Sequence, residues 1–168
     1  MITPTYVRTM AAYNAEMNRR IYAGAARLTD VQHRQDLGLF FRSLHGTLNH
    51  LLWGDRVWMA RFDGWPAETT PNRDSAGLIE AFDDLSAARF EADARIEAFA
   101  ATIDDAWLAE DLVWFSGAAG MEMRRGRAGL LVHLFNHQTH HRGQAHAALT
   151  IHGVTPADTD LFLVTPMA

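Results

Sequence analysis

Four of the nine histidines fall within nine residues, in the run His133-Leu-Phe-Asn-His137-Gln-Thr-His140-His141-Arg-Gly-Gln144. In a helix, residues three and four apart share a face, so His137 and His141 project side by side. Two imidazoles one turn apart make half of a transition-metal site, and a third ligand must then come from another element. His133, His137, His141 and Gln144 fall on one stripe, with His140 at its edge and His146 on the opposite face. A lone buried histidine is usually a satisfied core residue. Several on one core-facing stripe need a partner for every ring nitrogen, which a shared cation supplies directly. Position 138 is Gln, so the general-base glutamate of a zinc metallopeptidase helix is missing. No Glu-x-x-His occurs, which argues against a carboxylate-bridged di-iron bundle.

A fifth histidine, His50, has an unusual setting, with Gly46 and Gly54 one turn to either side. Glycine inside a helix costs about 1 kcal/mol against alanine, so two of them bracketing one imidazole suggest room. The room serves either a ligand or the close approach of a neighbouring helix. Three histidines on two helices, whichever metal they hold, would leave a coordination position for water or substrate.

Four segments with helical periodicity must position these residues: about Thr5–Leu28, Leu37–Phe62, Ser75–Thr102 and Ala128–Ile151. The second places Phe40, Phe41, Leu44 and Leu48 on its apolar face, and the third takes Ser75 as N-cap. In the first, Tyr13 reads as core and Asn14 as surface, with a role near the site as the other reading. Acidic residues of the third mostly read as a solvated face interleaved with Arg89 and Arg95. The connection from Asp63 to Asp74 is long enough for a crossover that leaves the second and third helices parallel. Between the third and fourth, Leu112–Phe115 and Met121–Arg125 flank the turn Gly117-Ala-Ala-Gly120 and can form a short β-hairpin. Trp114 and Phe115 are packing residues or the wall of a pocket. The tail segment Asp160–Val164 is apolar enough to dock on the helices or on a second subunit.

Composition narrows the chemistry. A length of 168 residues suits a single domain spanning the chain. The net charge of −5 gives no bulk attraction to nucleic acid or anionic membrane. Arg124, Arg125 and Arg127 form a small basic cluster, read as solvated surface ahead of an anion site. There is no cysteine, so thiolate ligands, disulfides and a cysteine nucleophile are excluded. All 15 basic residues are arginine, which removes Schiff-base and P-loop lysines. The N-terminal residues lack a signal-peptide pattern and no apolar run is long enough to span a membrane, so a cytoplasmic location is expected.

Together, Thr47-Leu-Asn-His50-Leu-Leu-Trp-Gly-Asp55 and Asn136-His137-Gln-Thr-His-His141-Arg-Gly-Gln144 resemble the two signature segments of the DinB family. The resemblance implies an all-α four-helix bundle of up-down-down-up topology. It implies a divalent metal bound by one histidine of the second helix and a His-x-x-x-His pair of the fourth, here His50, His137 and His141. Zinc or nickel is expected first, with iron, manganese or copper as alternatives, since imidazole suits all of them.

Relatives in the wider superfamily use the metal to join or isomerise substrates with a low-molecular-weight thiol. The expected function is therefore a metal-dependent thiol transferase acting on a small molecule. The alternatives are a metal-dependent hydrolase and a non-catalytic metal-binding or interaction protein. A homodimer is expected on the same ground, and no nucleic-acid or membrane partner. Asp55, Glu122 and His133 are the candidates for a general base. Metal affinity is expected to fall below about pH 6, where an ordinary imidazole protonates.

Overall fold

The computed structural model describes residues 1–117 and 119–164, and among these the chain is mostly helical with one small antiparallel two-stranded sheet. Helix α1 spans Pro4–Ala25. Thr3 accepts the Tyr6 N–H at its start, and Pro4 occupies the first turn, where no amide partner is needed. Val7, Ala11, Asn14, Asn18, Ile21 and Ala25 form its buried stripe at the helical period. A short α2 (Asp30–Arg34), closed by a Thr29/Gln32 capping box, follows within the expected connection.

Helix α3 spans Leu44–Phe62 and begins seven residues later than the apolar periodicity suggested. Residues 37–43 instead fold back on themselves. The Leu37 N–H donates to the Arg42 carbonyl, and Arg42 takes a left-handed φ of 67° that ends any helix there. Ser43 then caps α3 by accepting the Gly46 N–H at 3.0 Å. Phe40, expected on the buried face, is 80% exposed.

The third long helix is also shorter than expected: α4 spans Phe82–Thr102, and residues Asn72–Gly77 form a separate 3-10 turn. Ser75 is therefore no N-cap. What holds the segment off helical geometry is α3, because the Asn49 side chain accepts the Ile79 N–H at 2.7 Å and His45 bonds the Ile79 carbonyl at 3.0 Å. A five-residue α5 (Asp105–Ala109), unforeseen, precedes strands β1 (Asp111–Ser116) and β2 (Met121–Gly126), which pair antiparallel as the expected hairpin. Helix α6 spans Arg127–Ile151.

Contacts run in opposite order along α3 and α6, with His50 against His141 and Trp58 against His133. Along α3 and α4 they run in the same order, Asp55 meeting Arg89 and Phe62 stacking on Phe99. Helix α1 meets α6 in the same order (Tyr6 on Phe135, Asn14 with Arg142) and α4 in the opposite one (Asn18 with Asp93, Tyr22 against Phe90). Leu48, Leu51 and Leu52 of α3, Leu85 and Ile96 of α4, and Leu131, Leu134 and Phe135 of α6 fill the centre. Each contributes about 1.5–3 kcal/mol by leaving water.

A continuous chain of polar side chains, starting and ending on α1, threads this apolar core. Asn18 donates to Asp93 at 2.9 Å, Arg89 ion-pairs with Asp93 at 2.8 Å and with Asp55 at 2.6 Å. Gln138 donates to Asp55, and Arg142 reaches both the Gln138 side-chain oxygen and Asn14. Three expectations are corrected here. Arg89 and Asp93 are buried rather than solvated, and Asn14 is buried while Tyr13 is only half-covered. The reason is mutual, since each buried charge or amide is the partner another one requires. Two carboxylates share the Arg89 guanidinium, and burial pushes Asp93 up to about 6 despite that cation.

The described part of the tail ends in a single helical turn, α7 (Leu161–Val164), which covers most of the expected Asp160–Val164 segment, and residues 165–168 lie outside the described residues. Its anchorage is polar, through Tyr13 to the Thr159 carbonyl and Arg20 to the Asp158 carbonyl, while Phe162 and Leu163 stay exposed. Among the described residues, no helix is long and apolar enough to cross a membrane.

Candidate metal centre

Helices α3 and α6 bring His50, His137 and His141 together, one ligand atom of each lying within 4.8 Å of the others. The ring centroids are 5.1 Å apart for His50–His137, 4.7 Å for His50–His141 and 4.5 Å for His137–His141. Gly54 permits this approach. A Cβ there would come within 2.7 Å of His137 Cε1, so any larger residue would push the ring away. At Gly46 the obstacle would be the Phe41 carbonyl oxygen. Both glycines therefore admit a neighbour, the first an imidazole from α6 and the second the backbone of the residues entering α3.

Each ring is held from behind. His50 lies between two aromatic faces, Phe41 at 3.8 Å and Trp53 at 5.4 Å between centroids. Its Nδ1 is 2.8 Å from the Ser75 hydroxyl, and Ser75 is fully buried. With Nδ1–H donating to that oxygen, Nε2 keeps its lone pair. His141 Nδ1 lies 2.8 Å from Gln144 Oε1, an atom that can only accept, so here too Nε2 carries the lone pair.

The Nε2 atoms of His50 and His137 face each other at 3.1 Å, close enough that they must share a proton or a cation. His137 Nδ1 is buried without a hydrogen-bond partner. Burial pushes His50 down to about 4 and His137 to about 3, with neighbouring imidazoles adding to the effect, and lowers His141 as well. Three imidazoles with converging ring nitrogens, kept neutral by burial, form a donor set that fits a divalent transition metal.

The centre forms one end of a cavity of about 920 Å³. Trp53, Trp58 and Trp114 supply much of its wall, and His133 and His140 also face it. Trp114 comes from β1 and meets Trp58 edge-on at 5.9 Å, so the hairpin does shape the pocket, whereas Phe115 is 69% exposed. Of the general-base candidates, only His133 lines this cavity. Asp55 is sealed in the core against Arg89 and Gln138, and Glu122 is exposed on β2. Gln138, next to His137 in sequence, likewise belongs to the buried polar chain, between Asp55 and Arg142. Arg124 and Arg125 are solvent-exposed, and Arg127 is held by Glu110 at 2.7 Å and lies over the Trp107 ring.

Two residues that the sequence did not connect with the site matter here. Ser75 orients His50 from 25 positions away, and nothing local to it announces that role. Arg61 lies on the same α3 stripe as His50, Gly54 and Trp58, a spacing that could have revealed it. The sequence model of the DinB family matches residues 1–167. No curated protein matches the chain.

Proposed function

The chain belongs to the DinB family, and from that premise we propose that His50, His137 and His141 bind one divalent transition metal, zinc or nickel ahead of iron, manganese or copper, in a small-molecule thiol transferase. The observation that carries the reading is the convergence of one ring nitrogen from each of three histidines within 4.8 Å of one another, beside a large cavity. When bound, such an ion supplies Lewis acidity and lowers the pKa of a thiol or of water.

The remaining chemistry belongs to the chain. Ser75 and Gln144 fix the tautomers of His50 and His141, and Phe41 and Trp53 clamp the His50 ring in plane. Burial keeps the imidazoles unprotonated and so available as ligands at neutral pH. His133, exposed and 6.1 Å from His137 between ring centroids, is placed to take up or release a proton at the cavity wall. The chain carries no cysteine, so the thiol is an external cosubstrate.

A hydrolase using the same centre is the second reading, and a closed, purely structural metal is the third. The volume beside the centre favours a substrate site over the structural role. The order of helix contacts supports one up-down-down-up four-helix-bundle domain, and the exposed Phe162 and Leu163 offer apolar surface for a homodimer in the cytoplasm.

Protein purified without an affinity tag should contain about one metal ion per chain by elemental analysis. His50→Ala, His137→Ala and His141→Ala should each lose it while keeping a helical circular-dichroism spectrum. Full metal content in any of these variants would remove that residue from the ligand set. A thiol-conjugation screen on the metallated protein then separates transferase from hydrolase.

A further inference from the structure

Arg61 is the one charged side chain on the α3 stripe His50, Gly54, Trp58, Arg61 that faces the cavity. Its guanidinium lies 4.7 Å from the Trp58 ring centroid and 5.7 Å from that of Trp114. Among the described residues it has no carboxylate partner and no hydrogen bond, although it is half-buried. Other basic side chains of the protein mostly do have one: Arg89, Arg127, Arg34 and Arg42 are all ion-paired. A guanidinium held against two indoles is fixed in place while its donors remain free.

The rest of the cavity agrees with an anionic guest. Glu68 is its acidic wall residue, and that carboxylate is already taken by the Thr70 N–H at 2.8 Å and by Arg56 at 3.8 Å. Arg73, also in the lining, is paired with Asp74 at 3.5 Å, so among the described residues Arg61 is the cation of the lining that lacks a carboxylate partner. In a net-acidic protein its guanidinium makes this part of the wall the place that attracts an anion. Gly54, against which His137 sits, and Arg61 are two turns apart, roughly 10 Å along the helix axis.

We propose that Arg61 anchors the charged end of an elongated carboxylate substrate, whose apolar body lies along Trp58 and whose reactive end reaches the three-histidine centre. This rests on the metal-site reading for the reactive end only; the anion anchor stands on Arg61 and the tryptophan wall. Specificity then comes from charge at one end of the cavity and chemistry at the other.

Two probes test the two ends separately. Octanoate and its neutral alcohol analogue are titrated into metal-free protein, followed by tryptophan fluorescence. Mercapto-octanoate and its mercapto-alcohol analogue are titrated into the cobalt(II)-loaded protein, followed by the thiolate-to-cobalt absorption band. Octanoate should bind about tenfold more tightly than the alcohol to the unaltered chain. Arg61→Gln should abolish that preference, and Arg61→Lys should restore part of it, while neither changes binding of the alcohol. An undiminished carboxylate preference in folded Arg61→Gln overturns the proposal. Absence of the cobalt–thiolate band with the octanoate preference intact would overturn the metal reading and leave the anchor standing.

Discussion

Replacing Gly54 by alanine separates fold stability from metal affinity. The added Cβ would stand 2.7 Å from His137 Cε1 and 3.2 Å from Nδ1. Carbon atoms prefer about 3.5–4.0 Å, so the ring must retreat by about 1 Å. Since the obstacle is a side-chain ring beside a cavity rather than backbone, the retreat is cheap for the fold. Alanine also gains about 1 kcal/mol of helix propensity over glycine. Urea unfolding of the metal-free variant should therefore shift by no more than about 1 kcal/mol in either direction.

The metal site has no such slack. Metal–nitrogen bonds to histidine are about 2.0–2.1 Å and tolerate deviations of about 0.2 Å. A displaced His137 should weaken metal binding at least about tenfold, or about 1.4 kcal/mol. Competition against a chromophoric chelator measures this directly. A variant that gains the full helix-propensity stability and binds metal as tightly as the unaltered chain would refute the placement of His137 as a ligand against Gly54.

Three further outcomes follow from the way the histidines are held. His50 and His137 titrate near 4 and 3 in the folded chain, against about 6.5 unfolded. Between those values the unfolded chain binds protons that the folded chain refuses, so this contribution is complete above about pH 6.5 and lost as pH falls toward about 3. Urea midpoints of the metal-free protein should fall across that window, and the double variant His50→Gln/His137→Gln should flatten the decline; an equally steep decline in the variant would contradict the assignment. For the same reason metal binding should hold down to about pH 5 rather than weaken from about pH 6. Ser75→Ala removes the hydroxyl 2.8 Å from His50 Nδ1 and should weaken metal binding about 10–100-fold with His50 still present. Unchanged affinity in that variant would show that Phe41 and Trp53 suffice to orient the ring.

The histidine pair on α6 was legible because a helix repeats its face every three to four residues, and His50 stood out through its two glycines. The hairpin was legible for a similar local reason, two short runs around a glycine-bounded turn. The start of α3 was not. Phe40 and Phe41 continue the apolar period of Leu44 and Leu48, so pattern alone extends the helix through residues that actually fold back. Gly38 and Ser43 were the contrary signals, a left-handed position and an N-cap. Ser75 reads locally as a good N-cap, yet tertiary contacts through Asn49 and His45 hold its surroundings out of α4. Arg89 and Asp93, four apart on a helix with many charges, look like an ordinary surface pair. Only Asp55 from α3 shows why they are buried.

The spacing His133, His137, His141 poses a problem of degeneracy. Sliding α6 by one turn against α3 would present His133 and His137 where His137 and His141 now stand, leaving two imidazoles opposite His50. The polar chain breaks that equivalence. In the slipped register Leu134 would take the place of Gln138 opposite Asp55. Leucine would leave the carboxylate short of a donor, and Arg142, carried one turn along, would abandon Asn14 on α1. The buried charges thus act as an index mark, selecting one of two alignments in which the histidines would still look like a site.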